Sequence, residues 1–340
     1  MSRSLTETFP SVEECLDLPV EVLENLFSRA YSLTRERFSD VISFHMPGMR
    51  HYETDFYSGT NIFRFPSVSV TGTECSLNCE HCRGKLLESM LPARTPEQLW
   101  EICLEVVRRG GKGILVSGGS TRLGNTPISR YTQVMKRVKR ELGLHLVVHT
   151  GIVYPDVARG LADAGVDGAM IDIIGDRETL HDIYHLDMGP ESLDRSMDLL
   201  EENGVEIVPH VVVGLYFGRL RGEGNAIRLI SRHKTKSVVV VAFMPLDETP
   251  MTGVRPPEPI DIARVLLASR FAMPERAIIL GCARPLGEHR VLTDRLAIDA
   301  GVSAIAYPTP EAFDYARKRG LRVVLSDECC SLFTAVVEAQ

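Results

Sequence analysis

The chain has 340 residues, 44% apolar and 24% charged, a balance that supplies a sizeable hydrophobic core. A net charge of -7 excludes a large electrostatic footprint for nucleic acid, and no run of about 18 apolar residues is present to span a membrane. The first residues show no apolar leader ahead of a small-residue cleavage site, so the eight cysteines are expected in a reducing, cytoplasmic setting as thiols or metal ligands.

Ser11 with Glu14 reads as a capping box, followed by apolar residues at helical spacing through Leu26 and Phe27. Residues 1–62 are therefore expected as a helical extension, ending in a Gly-, Pro- and polar-rich loop (MPGMRHYETDFYSGTN). Strand and helix signals then alternate. The strand candidates are Phe65–Thr71, Gly113–Ser117, Leu144–Thr150, Gly168–Ile174, Glu206–Gly214, Ser237–Phe243, Ala277–Gly281 and Val302–Tyr307. Several are continuous Val/Ile runs, as strands buried on both faces should be. Between them, helices start on cap-and-proline patterns and stop at glycine: Thr95-Pro96-Glu97-Gln98 to Gly110, Pro155 to Gly165, and Pro190 to Gly204. The basic run Lys136–Arg140 lies on a helix and reads as a solvated face.

Eight strand–helix units at a period of ~40 residues predict an α/β fold, a (βα)8 TIM-type barrel over residues 63–308. An open doubly wound sheet is the competing arrangement. Residues 309–340 add a helix from Thr309-Pro310 to Gly320 and a strand, Arg322–Leu325, outside the eightfold count. They end in a cysteine-containing tail, Ser326-Asp327-Glu328-Cys329-Cys330-Ser331.

Cys75, Cys79 and Cys82 follow the first strand with spacing C-x3-C-x2-C. Thiolates are the usual ligands of a [4Fe–4S] cluster, which normally takes four of them. Three leave one iron open to chelate the amino and carboxylate groups of S-adenosylmethionine (SAM). An electron passed through the cluster then breaks a carbon–sulfur bond, giving methionine and a 5′-deoxyadenosyl radical. A zinc knot is the alternative. It needs four closed ligands and finds only His81 nearby, awkwardly adjacent to Cys82.

This loop resembles that of the radical SAM superfamily. The resemblance implies that His81 occupies the place of an aromatic ring close to the adenine. It also implies that Ser117-Gly118-Gly119-Ser120, closing strand two, is the glycine pair that meets the SAM amino group, with Ser120 replacing a frequent acid. At other strand ends, Asp172 reads either as a ribose-binding carboxylate or as half of a salt bridge. His149 and His210 read as hydrogen-bonding or ligand-contacting groups, and Gly214 as a place where backbone nears SAM. His181 and His185, four apart, read as a solvated helix face ahead of a metal pair. Cys15 and Cys103 fall on apolar helix faces and read as core.

From Phe65 onward the chain resembles the biotin synthase-like branch, and within it a subunit of the two-protein lipoyl synthase. The segments SVTGTECSLNCEHCRGKLLESM, VPHVVVGLYFGRLRGE, MPLDETPMTGVRPP, LGCARP and SDECCSL carry that likeness. It implies sulfur insertion into an octanoyl chain held on a lysine of a lipoyl carrier domain, with a second subunit and an electron donor such as ferredoxin or flavodoxin as partners. It also implies an auxiliary iron–sulfur cluster as sulfur donor, on Cys282, Cys329 and Cys330. Those thiols otherwise read as unrelated, and Ser331, Arg284 or a bound sulfur species remain open as the fourth ligand. The chain lacks the extra N-terminal three-cysteine motif of single-chain lipoyl synthases, having only Cys15 upstream. It also carries His149 and His210 where biotin synthases have cysteines, which argues against dethiobiotin as substrate. Another biotin synthase-like enzyme of cofactor biosynthesis, or a zinc-stabilised binding scaffold, are the competing functions.

Overall fold

All eight strand candidates fold as strands, and a computed structural model lays them side by side in chain order. It describes residues 9–49, 51–59 and 61–333; the first eight residues of the expected extension and residues 334–340 of the tail lie outside them. The strands are β1 (Val41–His45), β2 (Tyr52–Thr54), β3 (Tyr57–Gly59), β4 (Ser67–Ser69), β5 (Leu91–Pro92), β6 (Gly113–Ser117), β7 (His145–His149), β8 (Gly168–Asp172), β9 (Ile207–Val213), β10 (Ser237–Ala242), β11 (Ala277–Leu280), β12 (Ala304–Ala306) and β13 (Arg322–Ser326). Eleven form one parallel sheet in the order β13-β1-β12-β11-β10-β9-β8-β7-β6-β4-β5; β2 and β3 make a separate hairpin. The sheet curls into the TIM-type barrel expected, left open between β13 and β5 among the described residues.

Helices cover its outer face: α1 (Val12–Asp17), α2 (Val20–Phe38), α3 (Pro96–Arg108), α4 (Thr132–Leu142), α5 (Pro155–Ala164), α6 (Arg177–Tyr184), α7 (Glu191–Glu202), α8 (Glu223–Ser231), α9 (Pro259–Ala272), α10 (Glu288–Asp299) and α11 (Pro310–Lys318). Their caps follow the chemistry read from sequence in part: α5 starts at Pro155 without a side-chain cap, and Pro190 is the N-cap of α7 rather than its first residue. Thr95 Oγ1 accepts the Gln98 N–H at 3.3 Å, but the Gln98 side chain reaches past Thr95 to the Arg94 N–H at 2.7 Å. The Ser11–Glu14 capping box is closed from both sides. No described helix is long and apolar enough to cross a membrane.

The extension is not purely helical. Its α1 and α2 pack on α8, α9 and α10, which is why α9 is buried on every side from Ile262 to Phe271. Its β1 then inserts into the sheet between β12 and β13. The run Val41-Ile42-Ser43-Phe44-His45 alternates as a strand must. Phe44 turns outward to Phe313 of α11, with ring centroids 6.2 Å apart, and the pleat sends Ser43 and His45 to the lumen side.

The polar loop after β1 is also structured. The Tyr57 hydroxyl and the Arg64 guanidinium both bond Asp327, and the Tyr52 hydroxyl bonds the Pro308 carbonyl. These contacts fix where the tail leaves β13. A short turn at Cys330–Leu332 then packs against both β8 and β12, strands four places apart in the sheet. The tail therefore crosses the lumen instead of trailing outside.

Candidate active site

The loop between β4 and β5 is drawn tight by its own backbone. The Cys82 and Arg83 N–H groups donate to the Cys79 carbonyl at 3.2 and 2.9 Å, and the Lys85 N–H donates to Cys82 at 2.7 Å. Asn78, Arg83 and Gly84 take positive φ values of 51°, 46° and 79°, the left-handed turns that let the thiols converge. Ligand atoms of Cys79, His81 and Cys82 lie within 4.8 Å of one another. Cys75 stands outside that group, half-buried, its Sγ 4.0 Å from the Ser120 carbonyl. A spread of this kind suits a multi-iron cluster better than one tetrahedral ion. A hydrogen bond from Cys79 is the first cause that lowers the Cys82 thiol to about 4, helped by His81 and the Gly84 amide, while the same bond and burial raise Cys79. His81 Nδ1 is buried without a hydrogen-bond partner. A poised thiolate beside an orphaned ring nitrogen fits a bound metal cofactor.

The glycine pair explains how the loop sits down. The Gly119 N–H donates to Thr71 Oγ1 at 2.8 Å, and the Ser120 carbonyl accepts the Ser76 N–H at 2.8 Å. A Cβ on Gly119 would lie 2.0 Å from the Glu74 carbonyl oxygen and 2.7 Å from Cys75 Cα; on Gly118 it would lie 3.0 Å from Val70. Gly119→Ala is therefore expected to push Cys75 out of place and cut SAM cleavage about a hundredfold, the scale of a ~1 Å misplacement. Visible absorbance of the reconstituted protein and 5′-deoxyadenosine yield check this; native values for both would refute it.

A second brace comes from α6. His185 leaves that helix at φ 59°, placing Nδ1 2.9 Å from the Leu77 carbonyl and Nε2 3.0 Å from Glu80, whose N–H donates to Ile183. His181 is exposed and faces Asp182 at 2.8 Å. The two histidines thus form no metal pair; both are exposed, as the solvated-face reading expects, with His185 also tied to the cysteine loop. Beside them stands Tyr184, which the sequence reading missed, its ring 5.4 Å from His81. Burial, then Asp172, Cys79 and Cys82, raise its hydroxyl well above the ordinary range.

Across the lumen, His149 Nε2 lies 3.4 Å from Asp172 Oδ1, and the His149 and His210 rings are 6.0 Å apart. Burial alone would raise Asp172, but His149 first, then His210 and His81, bring it down to about 2. The same partnership raises His149 against its own burial. Burial lowers His210 to about 4, with Nδ1 held 3.0 Å from the Val208 carbonyl. Asp172 thus favours the charged form of His149, while burial favours the neutral form of His210. Gly214 (φ 70°) has its N–H on Glu223 and its carbonyl on the Gly218 N–H, each at 2.8 Å, and its Cα face is covered by Pro257, whose Cγ would lie 2.6 Å from an added Cβ. Glu223, almost wholly buried, was likewise not foreseen.

The tail thiols join this neighbourhood. Cys329 and Cys330 are buried and hydrogen-bonded to each other, an interaction that lowers Cys329 to about 7 and raises Cys330. The charge of His149 reaches Cys329, and those of Cys282 and Arg284 reach Cys330. Among the described residues the three thiols form no group tight enough for one ion. Arg284 is excluded as a fourth ligand. Fully buried, it directs its N–H groups to Asp294 and to the Gly281, Ala306 and Tyr307 carbonyls.

Residues 69–219, from the end of β4 past Gly214, match the profile of the Radical SAM superfamily. Over that stretch, a little under half of its length, the chain is similar to the radical SAM superfamily. The match implies a [4Fe–4S] cluster and SAM as cofactors. Among curated relatives, biotin synthase 2 of Polaromonas sp. is 24% identical over 71% of this chain and 70% of its own length. The biotin synthase of Burkholderia cenocepacia is 25% identical over 64% and 65%. Two solved structures share the fold of this chain. Methylornithine synthase superposes with a TM-score of 0.63 at 16% identity, covering 92% of this chain and 93% of that one. The FeFe-hydrogenase maturase HydG from Carboxydothermus hydrogenoformans gives 0.67 at 14%, covering 93% and 76%.

Proposed function

We propose that this radical SAM enzyme inserts sulfur, as a component of a two-protein lipoyl synthase acting on an octanoyl chain amide-linked to a lysine of a carrier domain. In this reading Cys75, Cys79 and Cys82 hold the [4Fe–4S] cluster, and His81, Gly118, Gly119, Ser120, Asp172, His210 and Gly214 surround SAM. Cys282, Cys329 and Cys330 hold the auxiliary sulfur-donating cluster. Bound together, the first cluster and SAM supply one-electron cleavage of a carbon–sulfur bond and hydrogen-atom abstraction from an unactivated carbon. The protein's own work is placement. The β4–β5 loop fixes the first thiols, the Asp172–His149 pair gives the lumen a fixed polar anchor, and the tail brings a second set of thiols inside the same barrel. That last observation carries the reading, because a sulfur donor has to share an enclosed, water-poor space with the carbon that receives sulfur.

A second reading is another biotin synthase-like enzyme of cofactor biosynthesis. The curated relatives, biotin synthases aligned over about two thirds of this chain, favour it. Anaerobic reconstitution followed by incubation with SAM, a reductant and an octanoyl-lysine peptide separates the two, run with and without the second subunit. The lipoyl reading expects the peptide to gain one or two sulfurs with 5′-deoxyadenosine released, and about eight irons per chain. SAM cleavage with an unchanged peptide and about four irons would transfer the assignment to the second reading.

A further inference from the structure

We infer that His45 is a ligand of the second metal centre, offering its Nε2 to an iron–sulfur cluster held by Cys282, Cys329 and Cys330; this rests on the sulfur-donor reading above.

The argument begins with β1. Strand parity turns the His45 side chain to the lumen, and its register partners are Ala306 of β12 and Ser326 of β13. Ser326 leads directly into the cysteine tail, and its carbonyl accepts the Met46 N–H at 2.8 Å. His45 is 5% exposed, its Nδ1 lies 3.1 Å from the carbonyl of Glu328, and Glu328 is covalently joined to Cys329. The ring also meets Phe333 edge-on at 6.3 Å.

The opposite nitrogen is the informative one. Nε2 is buried and has no hydrogen-bond partner. An unpaired buried polar atom is destabilising, a loss that a leucine or phenylalanine in this strand would avoid. A histidine whose Nδ1–H is held by a carbonyl presents Nε2 as a free lone pair, the arrangement in which proteins orient metal-ligating imidazoles. The donor set beside it is short by one. Cys329 follows Glu328 directly, Cys282 and Cys329 both act on Cys330, and Arg284 is fully engaged elsewhere. Ser331 Oγ, also buried and acting on Cys329, is the competing donor and has no nitrogen to offer.

The experiment isolates the second centre. Full-length protein carrying Cys75→Ala, Cys79→Ala and Cys82→Ala is reconstituted anaerobically with iron and sulfide, then reduced. Pulsed EPR is recorded on protein with natural and nitrogen-15-labelled histidine. The expected result is bound iron with one strongly coupled histidine nitrogen. That coupling should vanish in His45→Cys with iron retained, and persist in Ser331→Ala. Iron without nitrogen coupling, or coupling that survives His45→Cys, overturns the His45 assignment and leaves the sulfur-donor reading standing. No iron at all, in a chain with native circular dichroism, overturns that reading itself.

Discussion

Alanine at any one of Cys75, Cys79 or Cys82 is expected to abolish SAM cleavage, while alanine at Cys103 leaves it intact. The first three sit in one loop after β4, with two of them buried beside an unpartnered imidazole nitrogen. A cluster with three protein ligands has no spare one, so losing a thiolate leaves two anchors for four irons. Removing even an outer partner of a metal ligand lowers affinity or activity by 10–100-fold, so loss of a direct ligand should exceed about a hundredfold. Cys103 is fully buried on α3, and burial raises its thiol to about 12, the state of an inert core residue. The readout is 5′-deoxyadenosine released under reductant, together with the visible absorbance of the reconstituted protein. Cleavage preserved in any of the three loop variants would remove the ligand assignment.

How much of this was legible beforehand depends on whether a feature is local. The cysteine spacing is local chemistry, and it identified the loop before any fold was known. The eight barrel strands were legible because runs such as Ser237-Val238-Val239-Val240-Val241 have one reading when buried on both faces. The other strands of the sheet were harder. β5 is two residues long, and β1 is five residues of alternation at the end of a helical stretch, too short for period to separate from a fraying helix. The strand Arg322–Leu325 was expected outside the eightfold count; it lies at the sheet edge, paired with the unforeseen β1.

Site residues divide the same way. Gly118 and Gly119 were expected to admit a ligand; Gly119 first of all admits the cysteine loop, while Gly118 packs on Val70 and Thr126. His45, Tyr184, His185 and Glu223 carry no local signature. Each matters because curling the sheet brings it against a segment far away in sequence: His45 meets Glu328, and His185 meets Leu77. The course of the tail is the clearest case. Nothing in Ser326–Ser331 says whether it lies outside the barrel or within; the clamp on Asp327 by Tyr57 and Arg64 decides it.

Asp294→Ala is expected to destabilise the protein by about 3–5 kcal/mol, far beyond a surface carboxylate, because it strands a buried guanidinium. Arg284 and Asp294 are both 0% exposed, with N and O 2.8 Å apart. The pair does two structural jobs. Arg284 ties the carbonyl of Gly281, after β11, to those of Ala306 and Tyr307, at the end of β12. Asp294 reaches from α10 to the Thr309 N–H at 2.8 Å, setting the start of α11. Replacing both partners together, as Arg284→Met with Asp294→Leu, removes the uncompensated charge and should recover much of the loss. The double variant also takes away the positive field that favours the Cys330 thiolate, so its iron content should fall even where its urea midpoint recovers. Urea unfolding of the metal-free chain measures the first effect, and iron per chain after reconstitution the second. A midpoint for Asp294→Ala within about 1 kcal/mol of the native chain would mean that water reaches the guanidinium, and the buried pair would lose its structural role.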